Sequence, residues 1–177
     1  MVSDIRPPRY LAKCFAEDNG QEYYLNLAKS ATLPGLKTIF TGLAEDENKH
    51  YEIFRALKEN QPPEAMTDTT LLDTAQDVFQ RLPRGDEALK DIAGTLPAYQ
   101  HAMQLEADSF RFYEEAAEKE DDSAVKALLL KIAGEEHKHF NILENLYHFV
   151  NAPNQHLAWA EFSNLDEFRQ FGRDVDR

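Results

Sequence analysis

The chain matches itself when shifted by 89 residues. Segment 8–60 laid on segment 97–149 gives 12 identities without a gap: Pro8/Pro97, Tyr10/Tyr99, Glu17/Glu106, Tyr24/Tyr113, Ala28/Ala117, Lys37/Lys126, Ala44/Ala133, Glu47/Glu136, Lys49/Lys138, His50/His139, Ile53/Ile142 and Leu57/Leu146. Conservative pairs such as Leu36/Val125, Leu43/Ile132 and Tyr51/Phe140 extend the match. A chain with such a repeat must fold as two like units that bury their apolar faces on one another.

Each copy reads as two helices. In segment 9–30, Tyr10, Leu11, Cys14, Phe15, Tyr24, Leu25 and Ala28 are close to helical spacing, and Thr32-Leu33-Pro34-Gly35 breaks the run. Segment 35–59 carries Leu36, Ile39, Phe40, Leu43, Tyr51, Phe54 and Leu57 before Pro62-Pro63. The second copy spans 96–119, turns at Asp121-Asp122-Ser123 and continues over 123–150, where Asp122 or Ser123 can cap the last helix. No run of β-branched residues alternates with polar ones, so the expected class is all-α. Residues 61–95 join the copies, with a short helix expected near 69–81 and another near 86–93. Two antiparallel helical hairpins joined by a long crossover make a ferritin-like four-helix bundle, expected over 1–150. The remaining segment, 151–177, spaces Trp159, Phe162, Leu165, Phe168 and Phe171 three apart, and so should dock on its own bundle or on a second subunit.

The repeat places acid and imidazole at matched positions. Glu17 precedes Glu47-Asn48-Lys49-His50 by 30 residues, and Glu106 precedes Glu136-His137-Lys138-His139 by the same number. Glu and His three apart on a helix share a face and can reach one ion. One Glu from each of two helices, with Glu-x-x-His from each of the other two, is the ligand pattern of di-metal helical bundles. Glu47 lies four residues after Leu43 and seven after Phe40, on the apolar stripe. Four buried carboxylates repel one another unless protonated or neutralised. Two divalent cations would neutralise them, and oxygen and nitrogen donors without thiolate suit iron or manganese. Six ligands for two ions leave coordination positions open. A single Glu-x-x-His is usually a solvated helix face; two at equivalent repeat positions, each with a matched upstream Glu, are not explained that way.

Tyr24 and Tyr113 each follow the upstream Glu by seven residues, placing them to hydrogen-bond a ligand carboxylate or to serve as core aromatics. His101, His137, His148 and His156 have no repeat mate and read as surface or otherwise satisfied side chains. Cys14, the only cysteine, excludes an intrachain disulfide and any CxxC metal site. A net charge of −13 argues against nucleic acid and anionic membrane surfaces as partners. Met1 to Tyr10, with Asp4, Arg6 and two prolines, does not read as a signal peptide, and no apolar run has the length of a membrane span. The expected compartment is the cytoplasm.

The stretches Glu17 to Tyr24, Leu43-Ala-Glu-Asp-Glu47-Asn-Lys-His50, Glu106-Ala-Asp-Ser-Phe-Arg-Phe-Tyr113 and Ile132-Ala-Gly-Glu-Glu136-His-Lys-His139 resemble the four helices of the rubrerythrin branch of the ferritin-like superfamily. The resemblance covers about residues 8–150. It implies a non-haem di-iron centre that reacts with hydrogen peroxide or dioxygen. Its ligands would be Glu17, Glu47, His50, Glu106, Glu136 and His139, with Glu47 and Glu136 bridging. It also implies a homodimer. Two features depart from the family's pattern. Without CxxC motifs, electrons must come from an external donor such as rubredoxin. The extra Glu one turn after the third-helix ligand is replaced by Ser109, whose repeat mate is Gly20; small residues there leave space on the metal face and remove a ligand. Ferrous-iron oxidation and storage, and a non-catalytic interaction scaffold, are the alternative readings.

Overall fold

The computed structural model describes residues 14–59, 61, 66–82 and 96–151, with side chains from Gly20 to Phe149 within those ranges. Among the described residues there are five helices and no strand: α1 (Cys14–Ser30), α2 (Pro34–Lys58), α3 (Leu71–Arg81), α4 (Leu96–Glu118) and α5 (Ser123–Asn151). The long helices pair as hairpins, α1 with α2 and α4 with α5. The short α3 lies within the crossover and packs on α2 and α5. The second expected crossover helix, near 86–93, and the segment 152–177 lie outside the described residues.

Local chemistry sets the helix ends. Pro34 opens α2, where its missing N–H costs nothing and its fixed φ already suits a helix. Asp122 is the cap of α5: its Oδ1 accepts from the backbone N–H of Ala124 at 2.8 Å and of Val125 at 3.1 Å. Lys119 and Glu120 donate back to Ala116 and Ala117, closing the end of α4 in a tight turn.

The apolar stripes meet in one core. Leu36, Ile39, Phe40, Leu43 and Phe54 from α2 pack with Ala102, Phe110 and Tyr113 from α4 and with Leu129, Ile132, Ile142, Leu143 and Leu146 from α5. Ring contacts join the hairpins at two levels: Phe40 with Tyr99 (centroids 5.6 Å apart) and Phe54 stacked on Tyr113 (5.4 Å). Each large apolar side chain buried this way contributes roughly 1.5–3 kcal/mol. Tyr23 on α1 adds a polar tie, its hydroxyl donating to the carbonyl of Ala98 on α4 at 2.7 Å. Leu25, expected on the buried stripe, is 37% exposed. The buried face of α1 is set by Tyr24 and Ala28, one turn apart, and Leu25 is rotated about 100° from Tyr24.

The crossover helix docks through a close approach. Gly42 on α2 lies against Leu71 at the start of α3, and a Cβ at position 42 would overlap the Leu71 side chain. Farther along, Phe79 meets Phe149 of α5 with ring centroids 5.9 Å apart. The core therefore extends beyond the four long helices, and the crossover is pinned beside the middle of the bundle.

Candidate metal centre

A polar cluster is buried between the hairpins. Asp46, Glu47 and His50 from α2, Glu106 from α4, and Glu135, Glu136 and His139 from α5 are each at most 4% exposed. Ordinarily a charge taken out of water costs several kcal/mol. The geometry of these residues shows how they are accommodated.

Ligand atoms of Glu47, Glu106, Glu136 and His139 all lie within 4.8 Å of one another. His139 Nδ1 is 3.5 Å from Glu47 Oε1, 3.6 Å from Glu106 Oε2 and 4.0 Å from Glu136 Oε2. These separations are too long for good hydrogen bonds and suit donors arranged around a shared centre. His50 is the repeat mate of His139, with its Nδ1 3.1 Å from Glu136 Oε1. The two imidazole centroids are 6.0 Å apart. Five of the six residues expected to hold metal thus come together. The sixth, Glu17, lies within α1, but its side chain is outside the described residues.

Both histidines are held from behind by carboxylates not foreseen in the sequence. His50 Nε2 is 3.0 Å from Glu135 Oε2, and His139 Nε2 is 3.2 Å from Asp46 Oδ2. An ionised carboxylate only accepts hydrogen bonds, so each fixes its imidazole with the proton on Nε2. Nδ1 is the atom that faces the cluster, and its lone pair becomes available to a metal that displaces its proton. Asp46 and Glu135 are themselves repeat mates, 89 residues apart. That coincidence was the available signal. It is easily overlooked, because an acidic residue next to another acidic residue on a helix reads as solvent-facing.

The partners are exchanged between the halves. Asp46 of the first hairpin supports His139 of the second, and Glu135 of the second supports His50 of the first. Tyr24 likewise reaches from α1 to α4, its hydroxyl donating to Glu106 Oε1. Of the two roles open to Tyr24, the structure therefore shows the hydrogen bond to a cluster carboxylate. Tyr113 is fully buried against Phe54.

Electrostatics follow from this packing. Burial works against a charged imidazole, yet the surrounding carboxylates push the pKa of both His50 and His139 well above the ordinary value. Burial and the neighbouring Glu136 raise the pKa of Glu106; burial also opposes ionisation of Glu136, but the adjacent Glu106, His50 and His139 lower its pKa. Burial also opposes ionisation of Asp46, but His139, Lys49 and Thr69 hold it well below the usual carboxylate range. A field that draws protons onto two buried imidazoles also attracts cations. Glu106 Oε2, Glu136 Oε1 and His139 Nδ1 are buried, point into the cluster and have no hydrogen-bond partner. Buried polar atoms of this kind call for a ligand, and these donors fit a divalent first-row metal.

Gly20 revises one expectation. The small residue there does not leave space beside the centre. A Cβ at position 20 would lie 2.9 Å from Glu47 Oε2, so the Glu47 carboxylate itself fills the gap. The remaining histidines are peripheral. His101 and His148 are exposed, His137 is half-buried with its ring 5.9 Å from Phe110, and His156 lies outside the described residues.

The rubrerythrin family model matches residues 11–147. The chain belongs to the rubrerythrin family. That membership makes this a ferritin-like protein and implies di-iron binding, in keeping with the buried Glu/His cluster. No match was found among curated proteins or among solved structures. No helix among the described residues of this rubrerythrin-family chain is long and apolar enough to cross a membrane.

Proposed function

We propose that the protein is a non-haem di-iron oxidoreductase that reduces hydrogen peroxide or dioxygen with electrons from a separate donor such as rubredoxin. The observation that carries this reading is the paired set of buried donors, with Nδ1 of His50 and His139 turned inward by Glu135 and Asp46. Glu106, Glu136 and His139 would hold one ion, and Glu17 and His50 the other. Glu47 and Glu136, central in the cluster, would bridge them. Iron is the natural occupant of such a donor set and manganese the alternative. Bound iron supplies reducing electrons and Lewis acidity.

The chain's own residues do the rest. Tyr24 orients Glu106 by donating to Oε1, which leaves Oε2 directed at the centre. Glu106 and Glu136 would serve as ionised ligands, since bound metal displaces the protons that the metal-free cluster attracts. Phe54, Ile132 and Leu143, each four residues along its helix from a Glu or His of the cluster, are fully buried.

Stopped-flow mixing of the reduced, iron-loaded protein with peroxide and with dioxygen tests the reading. Oxidation by peroxide should be the faster. If peroxide is no faster than dioxygen, the peroxidase assignment fails. Ser109 gives a specific reason to weigh ferrous-iron oxidation and storage as the second reading, since it supplies no carboxylate where the family's peroxidases carry one. Retention of many irons per chain after aerobic loading with excess ferrous iron would favour that reading. Retention of about two per chain would favour the first.

A further inference from the structure

The two outer carboxylates meet at one residue of the crossover. Thr69 lies in the segment just before α3, and its backbone N–H donates to Glu135 Oε1 at 3.0 Å. Its hydroxyl donates to Asp46 Oδ2, the same oxygen that faces His139 Nε2. The hydroxyl also accepts from the backbone N–H of Leu71 at 3.2 Å, so its proton is directed at Asp46 and its lone pair at the helix. Lys49 Nζ occupies the other oxygen of Asp46 at 2.7 Å. The segment is anchored on its far side by Lys131 of α5, which donates to the Met66 carbonyl and lies 3.3 Å from Asp68 Oδ1.

We propose that Thr69 is a positioning residue for both histidines of the metal centre, acting on His139 through its hydroxyl and Asp46, and on His50 through its backbone N–H and Glu135. The inference rests on the di-metal reading of the cluster and adds to it a control point outside the four-helix core. It has an asymmetric consequence. The hydroxyl serves only the His139 side, and the backbone N–H only the His50 side. A side-chain substitution at position 69 therefore disturbs one half of the centre and spares the other. A cap that merely starts α3 would lack this selectivity.

Cobalt(II) titration of the full-length, metal-depleted protein, followed by d–d absorption, reads the two halves. Thr69→Val keeps the shape and the backbone N–H but removes the hydroxyl. It should weaken binding of one of the two cobalt ions by roughly tenfold, the lower end of what loss of an outer partner costs, and shift that ion's bands alone. Thr69→Ser restores the donor and should return both affinity and spectrum to wild type. Should the valine variant fold poorly, Thr69→Ala provides the same loss of hydroxyl with less bulk. The proposal is overturned if both ions weaken equally, if neither changes, or if serine fails to rescue a valine defect. A wild-type protein that binds two cobalt ions alongside an unaffected valine variant removes only the role of Thr69. A wild-type protein that binds none removes the di-metal reading, and the proposal with it.

Discussion

Gly20 and Glu47 compete for one volume, and this sets stability against metal binding at the scale of single residues. Alanine is favoured over glycine inside a helix by up to ~1 kcal/mol. The added methyl would meet the flexible end of Glu47, which can swing aside cheaply. Gly20→Ala should leave the metal-depleted protein as stable as wild type or up to ~1 kcal/mol more stable, while weakening metal affinity because Glu47 is displaced. Thermal melts with and without chelator check both halves of this expectation. A second expectation concerns pH. His50, His139 and Glu106 all have raised pKa values in the fold. Each such group stabilises the fold most when protonated, so its contribution is present below its unfolded pKa and lost as pH rises through its folded one. For the histidines, loss begins above about 6.5. For Glu106, it begins above about 4.3. The metal-depleted protein should therefore lose stability progressively as pH rises above about 6.5, by at most ~1.4 kcal/mol per pH unit for each proton released. Asp46 acts in the opposite sense, being depressed, and its contribution disappears only in acid. Metal must displace the imidazole protons, so loading should release protons and tighten as pH rises. Calorimetry in buffers of different ionisation enthalpy counts those protons.

At the scale of helices, the caps and breaks are strong predictors because their chemistry is local. Pro34 and Asp122 mark helix starts through φ and through hydrogen bonding, neither of which needs tertiary context. Asp122→Ala should cost about 1 kcal/mol, seen as a drop in melting temperature of roughly 2–4 °C. The long helices were legible in the same way from their apolar spacing, and so was the crossover helix, expected at 69–81 and found at Leu71–Arg81. Legibility stopped where side chains act across elements. Nothing local distinguishes Asp46 from Glu45, yet one is buried against His139 and the other is exposed. Leu25 failed for the complementary reason: hydrophobicity alone does not say which side of Tyr24 faces the bundle. The role of Thr69 depends on where a loop lies in space, which no spacing rule encodes.

For the whole molecule, the repeat explains why so much of the centre could be read at all. Matched Glu-x-x-His segments identify a shared site only if the two units face each other, and the pairing of α2 with α5 residues at the cluster is that arrangement. In the proposed centre Glu47 and Glu136 are the bridging ligands, so Glu47→Ala or Glu136→Ala should remove both metals together. Metal analysis of protein from iron-supplemented cells should show close to two per chain in the wild type and a near-complete loss in either variant. Loss of only one would mean that the halves bind independently.

The exchange of Asp46 and Glu135 between hairpins has a consequence for ancestry. Neither hairpin contains the carboxylate that orients its own histidine; each borrows it from the other. Reciprocal borrowing of this kind is what a two-fold symmetric pair of identical hairpins would possess, residue i meeting j and j meeting i. A forerunner with one hairpin per chain would have had a complete site only as a dimer, and fusing two gene copies would have preserved every cross-contact while freeing the halves to diverge. Gly20 and Ser109, or Asp46 and Glu135, record that divergence.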